Sequence, residues 1–253
     1  MAQKVLITAA ASGIGLEIAR AFSAAGAAVF ITDINQHTID AAKTEIPGLF
    51  ATLCNNGKRS DIERMVPAAV ETLGGLDVLV NNAGIAGPTA PVEEMDPDKW
   101  EEVMTVNLVG TFNVTRLAIP HLKKSSAGCI ITMSSLGGRF GYPNRSPYNV
   151  AKAGLIGFAK TLAIELGDHN IRSNAIAPGA VGGQRIEKVL AGRAKATGKS
   201  VEEERASMLS VQTIKQFVDP KDIASLCVFL ASDAGKSISG QVVPIDNGAL
   251  KAS

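Results

Sequence analysis

Short runs of branched and apolar residues alternate along the chain with longer stretches of helical period. The runs fall at 5–8 (V-L-I-T), 28–33 (A-V-F-I-T-D), 49–53 (L-F-A-T-L), 76–81, 129–134, 171–177 and 241–246. Most of them lack the apolar–polar alternation of a half-exposed strand, as parallel strands buried on both faces do. Helical stretches lie between them near 14–25, 36–45, 59–73, 97–123, 149–167 and 219–231. This alternation predicts an α/β fold, a doubly wound sheet of seven parallel strands. No linker-like shift of composition or internal repeat interrupts it, so residues 1–253 read as a single domain. The rhythm breaks once. Residues 180–218 hold two helical patches, 184–196 and 201–210, separated by A-T-G-K-S. An excursion this long in a compact domain is either a lid over a site or a surface embellishment.

Composition narrows the function. Hydrophobic residues are 46% of the chain and charged residues 19%, enough apolar material for a large core. The net charge is +1 and aromatics are 4%, so neither an electrostatic footprint nor stacking platforms point to nucleic acid. Cys54, Cys129 and Cys227 are far apart and form no C-x-x-C pair, which argues for buried thiols and against a metal site. The apolar run 5–11 is too short to span a bilayer and lacks the layout of a signal peptide. A cytoplasmic enzyme or binding protein is the expectation.

The first turn carries T-A-A-A-S-G-I-G at 8–15. Glycines there let backbone amides approach a phosphate, and the helix N-terminus adds positive potential. The second strand ends at Asp33, 18 residues past Gly15. An acid at that place accepts hydrogen bonds from a ribose and repels the extra phosphate of NADP, so NAD is preferred. Asp33 as the N-cap of the following helix is the competing reading.

Tyr148 and Lys152, in Y-N-V-A-K, share one helical face. A free tyrosine titrates at about 10; making it a base near neutrality takes roughly 4 kcal/mol of preference for the phenolate. A nearby ammonium supplies much of that. Ser135 lies 13 residues before Tyr148, and Asn107 lies in M-T-V-N-L-V-G.

With these pieces in place the sequence resembles the short-chain dehydrogenase/reductase family over nearly its whole length. The matching residues are T-A-A-A-S-G-I-G, Asp33, N-N-A-G at 81–84, Asn107, Ser135, Y-N-V-A-K, P-G at 178–179 and the closing S-G-Q-V-V-P-I-D-N-G. The resemblance implies a three-layer Rossmann fold with hydride transfer between an alcohol and NAD. It implies that Tyr148 is the acid/base and that Lys152 lowers its pKa and binds the nicotinamide ribose. It implies that Ser135 holds the substrate oxygen and that Asn107 holds a water in a proton relay. Cofactor contacts fall to Ser12, Gly13, Ile14, Gly15, Asp33, Ile34, Asn55, Asn82, Ala83, Gly84, Tyr148, Lys152, Pro178, Gly179 and Val181. Ser134 competes with Ser135, though the spacing favours Ser135; Asn81 reads as a structural tie.

Three positions and one stretch depart from the family pattern, the stretch being the polar, glycine-bearing N-N-G-K-R-S-D after strand three. Ala9 stands where glycine is usual, tolerable if its φ is negative. Asn55 replaces an aspartate near the adenine, and Gly183 replaces a threonine. Two subfamilies fit poorly. The insertion resembles that of 3-hydroxybutyrate dehydrogenases, but their histidine two places after the serine is Gly137. The basic residue that opens strand five in the acyl-carrier-protein reductases is Cys129. Arg139, Arg145 and Arg185 surround the site, and arginine suits carboxylate or phosphate. A small polar, acidic hydroxylated substrate is one expectation; surface pairs or subunit contacts are the other. A reductase of carrier-bound acyl groups and a non-catalytic dinucleotide-binding regulator are the alternative functions. The helices near 103–119 and 149–167 are apolar on more than one face, which predicts a homo-oligomer, a homotetramer by resemblance.

Overall fold

The computed structural model describes residues 2–250, apart from the side chains at 184, 185, 193 and 196. Seven strands form one sheet: β1 Lys4–Ile7, β2 Ala28–Asp33, β3 Phe50–Leu53, β4 Val78–Asn81, β5 Cys129–Met133, β6 Arg172–Pro178 and β7 Val242–Ile245. Their order is β3-β2-β1-β4-β5-β6-β7, and every neighbouring pair is parallel. The strand order therefore reverses between β1 and β4, and the crevice at their carboxyl ends is where such sheets take ligands.

The missing polar alternation has a direct cause. Leu6, Leu79 and Ile130 point to one face of the sheet; Val5, Ile7, Val78, Val80, Cys129 and Ile131 point to the other. Both faces are covered. Helices α1 Gly13–Ala24, α2 Gln36–Glu45 and α10 Pro220–Ala231 pack on the second. Helices α3 Arg59–Leu73, α5 Gly110–Leu122 and α7 Ser146–Glu165 pack on the first. A side chain such as Phe22, 1% exposed, contributes about 2–3 kcal/mol by its burial.

Helix starts follow local chemistry. Asn35 caps α2 by accepting from the amides of His37 and Thr38. Asp96 caps α4 Pro97–Met104, and Asp219 caps α10, each ahead of a proline that has no amide to satisfy. The predicted helix 97–123 is interrupted. Between α4 and α5 the residues Thr105–Val109 form a π turn. Helix α7 begins at Ser146, three residues earlier than expected, with Pro147 in its first turn. A four-residue helix, α6 Leu136–Arg139, follows β5.

The excursion after β6 is a paired-helix unit, α8 Gln184–Thr197 and α9 Val201–Ser210. Its base is closed where Val218 N donates to Ala180 O and Gly182 N to Val218 O. Ser200 and Glu203 form a reciprocal capping box at the start of α9. Arg205 of α9 bonds both carboxylate oxygens of Glu187 of α8, at 3.0 and 2.7 Å, and holds that carboxyl below its usual range. The two helices also share a buried seam of Leu190, Glu204 and Met208, with Thr197 donating to Glu204.

Candidate active site

The turn after β1 is built on Thr8. Its buried hydroxyl accepts from the amides of Asn82 and Ala83, both at 3.0 Å, and so locks β1 to the loop after β4. Asn82 adds two bonds from its side-chain nitrogen, to Thr8 O and Ala9 O. Asn82 thus ties the two loops together, while Asn81 ties β4 to Thr115 of α5. In the sequence nothing but its place at the head of T-A-A-A-S-G-I-G marks Thr8 for this part.

Gly15 has no room for a side chain: a Cβ there would lie 2.6 Å from Ala10 Cα and Ala9 O. Helix α1 can approach the strand this closely only at glycine. Ser12 precedes α1 but its side chain caps nothing, so the first-turn amides, including those of Gly13 and Ile14, have no side-chain acceptor. That is the arrangement an anion requires. Ala9 has φ +50°, so the condition of a negative φ is not met. The residue holds a left-handed conformation that costs alanine energy and glycine none.

Asp33 ends β2 and does not cap α2, a role taken by Asn35. Its Oδ2 accepts from Ala11 N at 3.1 Å; its Oδ1 accepts from Ile34 N and Asn35 N. A carboxylate has about four acceptor sites, so three amides leave room for a ribose hydroxyl. Ile34 beside it is exposed. Asn55 follows β3, and its amide oxygen accepts from Gly57 N at 2.8 Å. At the other end of the crevice, Pro178 ends β6, and Gly179 N donates to Ile245 O. Val181 pairs with Val218. Gly183 has φ +127°, which threonine would adopt only under strain, so the departure there follows from the backbone.

Tyr148 and Lys152 come together as their spacing predicts. Lys152 Nζ lies 5.9 Å from the centre of the Tyr148 ring and donates to Met133 O at 2.7 Å. Lys152 is 5% exposed. Asn107 sits in the π turn, fully buried, its Oδ1 accepting from Ile85 N and its Nδ2 donating to Ile85 O. A methyl placed on Gly84 would lie 3.3 Å from both Lys152 Nζ and Asn107 Oδ1, so these groups meet at one point. Ser135 caps α6, accepting from Gly137 N at 3.1 Å. A hydroxyl that accepts there still has its O–H to donate. Ser134 is turned inward and donates to Lys152 O at 2.8 Å, which leaves Ser135, at the expected spacing from Tyr148, as the serine with a hydroxyl proton to give.

The three arginines have different surroundings. Arg139 pairs with the buried carboxylate of Asp246 at 2.8 Å. Its charge is thereby balanced within the fold, in keeping with the pairing that stood beside a substrate contact as the second expectation for it. Arg145 donates to Ala86 O at 2.7 Å and lies over the Tyr148 ring. Arg185 belongs to α8, but its side chain lies outside the described residues. Among the described residues no cluster of His, Cys, Asp or Glu could hold a metal ion, and no helix is long and apolar enough to cross a membrane.

A family model described as enoyl-(acyl carrier protein) reductase matches residues 8–249. Two relatives align along nearly the full length of both chains. A 3-oxoacyl-(acyl-carrier-protein) reductase of Thermotoga maritima is 38% identical over 247 residues, 96% of each chain. A D-beta-hydroxybutyrate dehydrogenase of Cupriavidus necator is 36% identical over 250 residues, 96% of each. Among solved structures, an NAD+-bound xylitol dehydrogenase superposes with a TM-score of 0.91 at 27% identity, covering 97% of this chain and 98% of that one. An actinorhodin polyketide ketoreductase with NADPH gives 0.92 at 30%, covering 98% of each.

Proposed function

The chain belongs to the short-chain dehydrogenase/reductase family, and on that premise we propose that it is an NAD-dependent oxidoreductase interconverting a secondary alcohol and a ketone. The observation that carries the proposal is that Lys152 joins Tyr148 to Asn107 where the chain leaves β4, with its ammonium on the last residue of β5 and Ser135 two places beyond. A dinucleotide fits the crevice: its pyrophosphate would meet the uncapped start of α1, and its adenosine ribose the remaining acceptor site of Asp33. Ile34 and Asn55 would flank the adenosine, and the 82–84 and 178–181 segments the rest of the cofactor. When bound, the nicotinamide supplies the hydride acceptor.

In oxidation, Tyr148 Oη takes the hydroxyl proton as the carbon gives up its hydride; in reduction it returns that proton. The buried ammonium of Lys152 stabilises the phenolate. Ser135 Oγ donates to the substrate oxygen and fixes it near Tyr148. Each side-chain atom of Asn107 makes one bond to residue 85, and its main-chain oxygen is a further acceptor for a relay water. That oxygen already accepts from Thr111 Oγ1 at 2.8 Å, leaving one lone pair.

Asp33 favours NAD, since a ribose phosphate would face its charge. The ion pair of Arg139 with Asp246 withdraws one of the cations that favoured an acidic substrate, so a small polar, hydroxylated compound is the better reading. The similarity to a 3-oxoacyl-(acyl-carrier-protein) reductase favours a second reading, a ketone reductase working with NADPH. Against it, residue 129 is a fully buried cysteine that cannot touch a carrier protein. Exposed Val109 and Phe112 near α5, with Val150 and Ile164 of α7, support burial of these helices in a homo-oligomer.

The test is turnover of polyols, sugar acids and hydroxy acids with NAD and NADP, followed by nicotinamide absorbance, in the native protein and in Tyr148→Phe. We expect oxidation with NAD and a loss of about 100-fold or more in the variant. Undiminished rates in Tyr148→Phe would defeat the proposal. Reduction of 3-oxoacyl thioesters with strong NADPH preference would establish the second reading in its place.

A further inference from the structure

The loop after β4 is held from two directions. Asn107 clamps residue 85 through both of its main-chain atoms. Arg145, just ahead of α7, clamps the next stretch: Nη2 donates to Ala86 O at 2.7 Å and Nη1 to Thr89 Oγ1 at 3.4 Å. Ala90 N donates to Asn144 O at 3.0 Å beside it. These bonds leave the guanidinium carbon 5.3 Å from the centre of the Tyr148 ring. Lys152 Nζ is 5.9 Å from the same centre. Two cations therefore bear on one phenol.

We propose that Arg145 is a positioning residue for Tyr148: anchored on the 86–89 loop, it holds a permanent positive charge over the ring and, with Lys152, stabilises the phenolate. The inference rests on Tyr148 as the acid/base. A cation over an aromatic face is attracted to it, and the attraction grows when the ring itself becomes an anion. Arginine suits the place for two reasons. Its planar fork bonds two oxygens at its edge while its face stays free to lie on a ring. It also keeps its charge across the whole range in which a phenol titrates.

Other charged groups lie on the elements packed against α7. Arg139 of α6 is paired with Asp246, and Arg172 of β6 donates to Leu230 O and Gly235 O. Cys129 lies in β5; Asp168 and His169 lie in the 3-10 turn after α7. Asp98, Lys99, Glu101 and Glu102 lie on α4, with Glu101 lining a shallow cavity beside Ser146. The π turn carries no charged residue. Among the described residues, the cations seated over the ring of Tyr148 are Arg145 and Lys152.

The chain has two tyrosines, Tyr142 and Tyr148, which makes a direct test practical. In a Tyr142→Phe background, ultraviolet titration of the folded protein reads the ionisation of Tyr148 without cofactor or turnover. We expect Arg145→Gln to move the phenolate midpoint upward, because one of the two cations over the ring is removed. The acidic limb of kcat/KM for alcohol oxidation should move in the same direction, and Arg145→Lys, whose ammonium loses its charge in the range where a phenol titrates, should restore only part of the shift. Circular dichroism establishes that each variant is folded. A folded Arg145→Gln protein with an unmoved midpoint overturns the role, and so does a rise in KM alone. The two failures separate cleanly. Turnover that survives Tyr148→Phe removes the acid/base reading beneath the inference; an inactive Tyr148→Phe beside an unmoved Arg145→Gln midpoint removes the role of Arg145 only.

Discussion

Replacing Ala9 by glycine should stabilise this protein, although the same change almost anywhere else would weaken it. Ala9 has φ +50° and is held there at both ends: its amide donates to Thr32 Oγ1 at 3.3 Å and its carbonyl accepts from Asn82 Nδ2 at 2.8 Å. A left-handed alanine costs roughly 1–2 kcal/mol that glycine does not incur. Against this stand about 0.4–1 kcal/mol of extra freedom in the unfolded glycine chain and part of the ~0.8 kcal/mol due to a buried methyl. The net is a gain of about 0.5 kcal/mol, small by itself. The neighbouring change makes it measurable. Ala10 is fully buried and has no left-handed strain, so Ala10→Gly suffers both losses without relief, about 1.5 kcal/mol. The two variants should therefore differ by about 2 kcal/mol in urea unfolding, or about 4–8 °C in midpoint temperature for a chain of this size. If Ala9→Gly is weakened as much as Ala10→Gly, the turn stores no backbone strain and the reasoning is wrong.

Three further outcomes follow from the same geometry. Gly15→Ala forces a methyl against the backbone of Ala9 and Ala10, so we expect a loss of about 1–3 kcal/mol and weaker binding of the nicotinamide dinucleotide by calorimetry; unchanged affinity would contradict the tight α1–β1 approach. Thr8→Val strips the acceptor from two amides and should cost about 2–4 kcal/mol in denaturant midpoint, with Thr8→Ser close to native. Burial pushes the Cys129 thiol up from 9.0 to about 11. Folding thus favours its protonated form, so the stability this contributes is complete below pH 9.0 and is lost as pH rises from there to about 11. Cys129→Ala should make that alkaline decline shallower, the buried Cys54 and Cys227 keeping their share of it; an identical decline in both proteins would refute the assignment.

The sheet and the paired excursion helices were legible because their signals are local. Runs of branched residues and the helical period between them act within a few positions; the caps Asn35, Asp96, Ser200 and Asp219 are not read from the sequence, where Asp33 is weighed in the place that Asn35 takes. Tyr148 and Lys152 were legible because helical spacing alone brings them together. What escaped depends on contacts distant in the chain or on backbone angles. The sequence left Arg139 between a substrate contact and an ion pair, because its partner Asp246 stands 107 residues away and joins it only through the fold. The choice of Ser135 over Ser134 rested on spacing; the reason for it, the bond from Ser134 to the carbonyl of Lys152, spans two elements. The positive φ of Ala9 has no signature in an alanine-rich run. The π turn is equally silent, because its residues T-V-N-L-V keep a helical mixture of apolar and polar positions.

That π turn makes the long helical segment sensitive to length in a way that point substitutions would not reveal. A π turn accommodates one residue more than an α turn, and each helical residue advances the azimuth by about 100°. Deleting Thr105 would let α4 and α5 fuse into one regular rod, and one half would have to swivel by that angle relative to the other. Either Asn107 would swing away from Lys152, or Phe112 and its neighbours would rotate off the outer flank of the molecule. One surplus residue thus keeps the chemistry on the inner side in phase with the surface on the outer side.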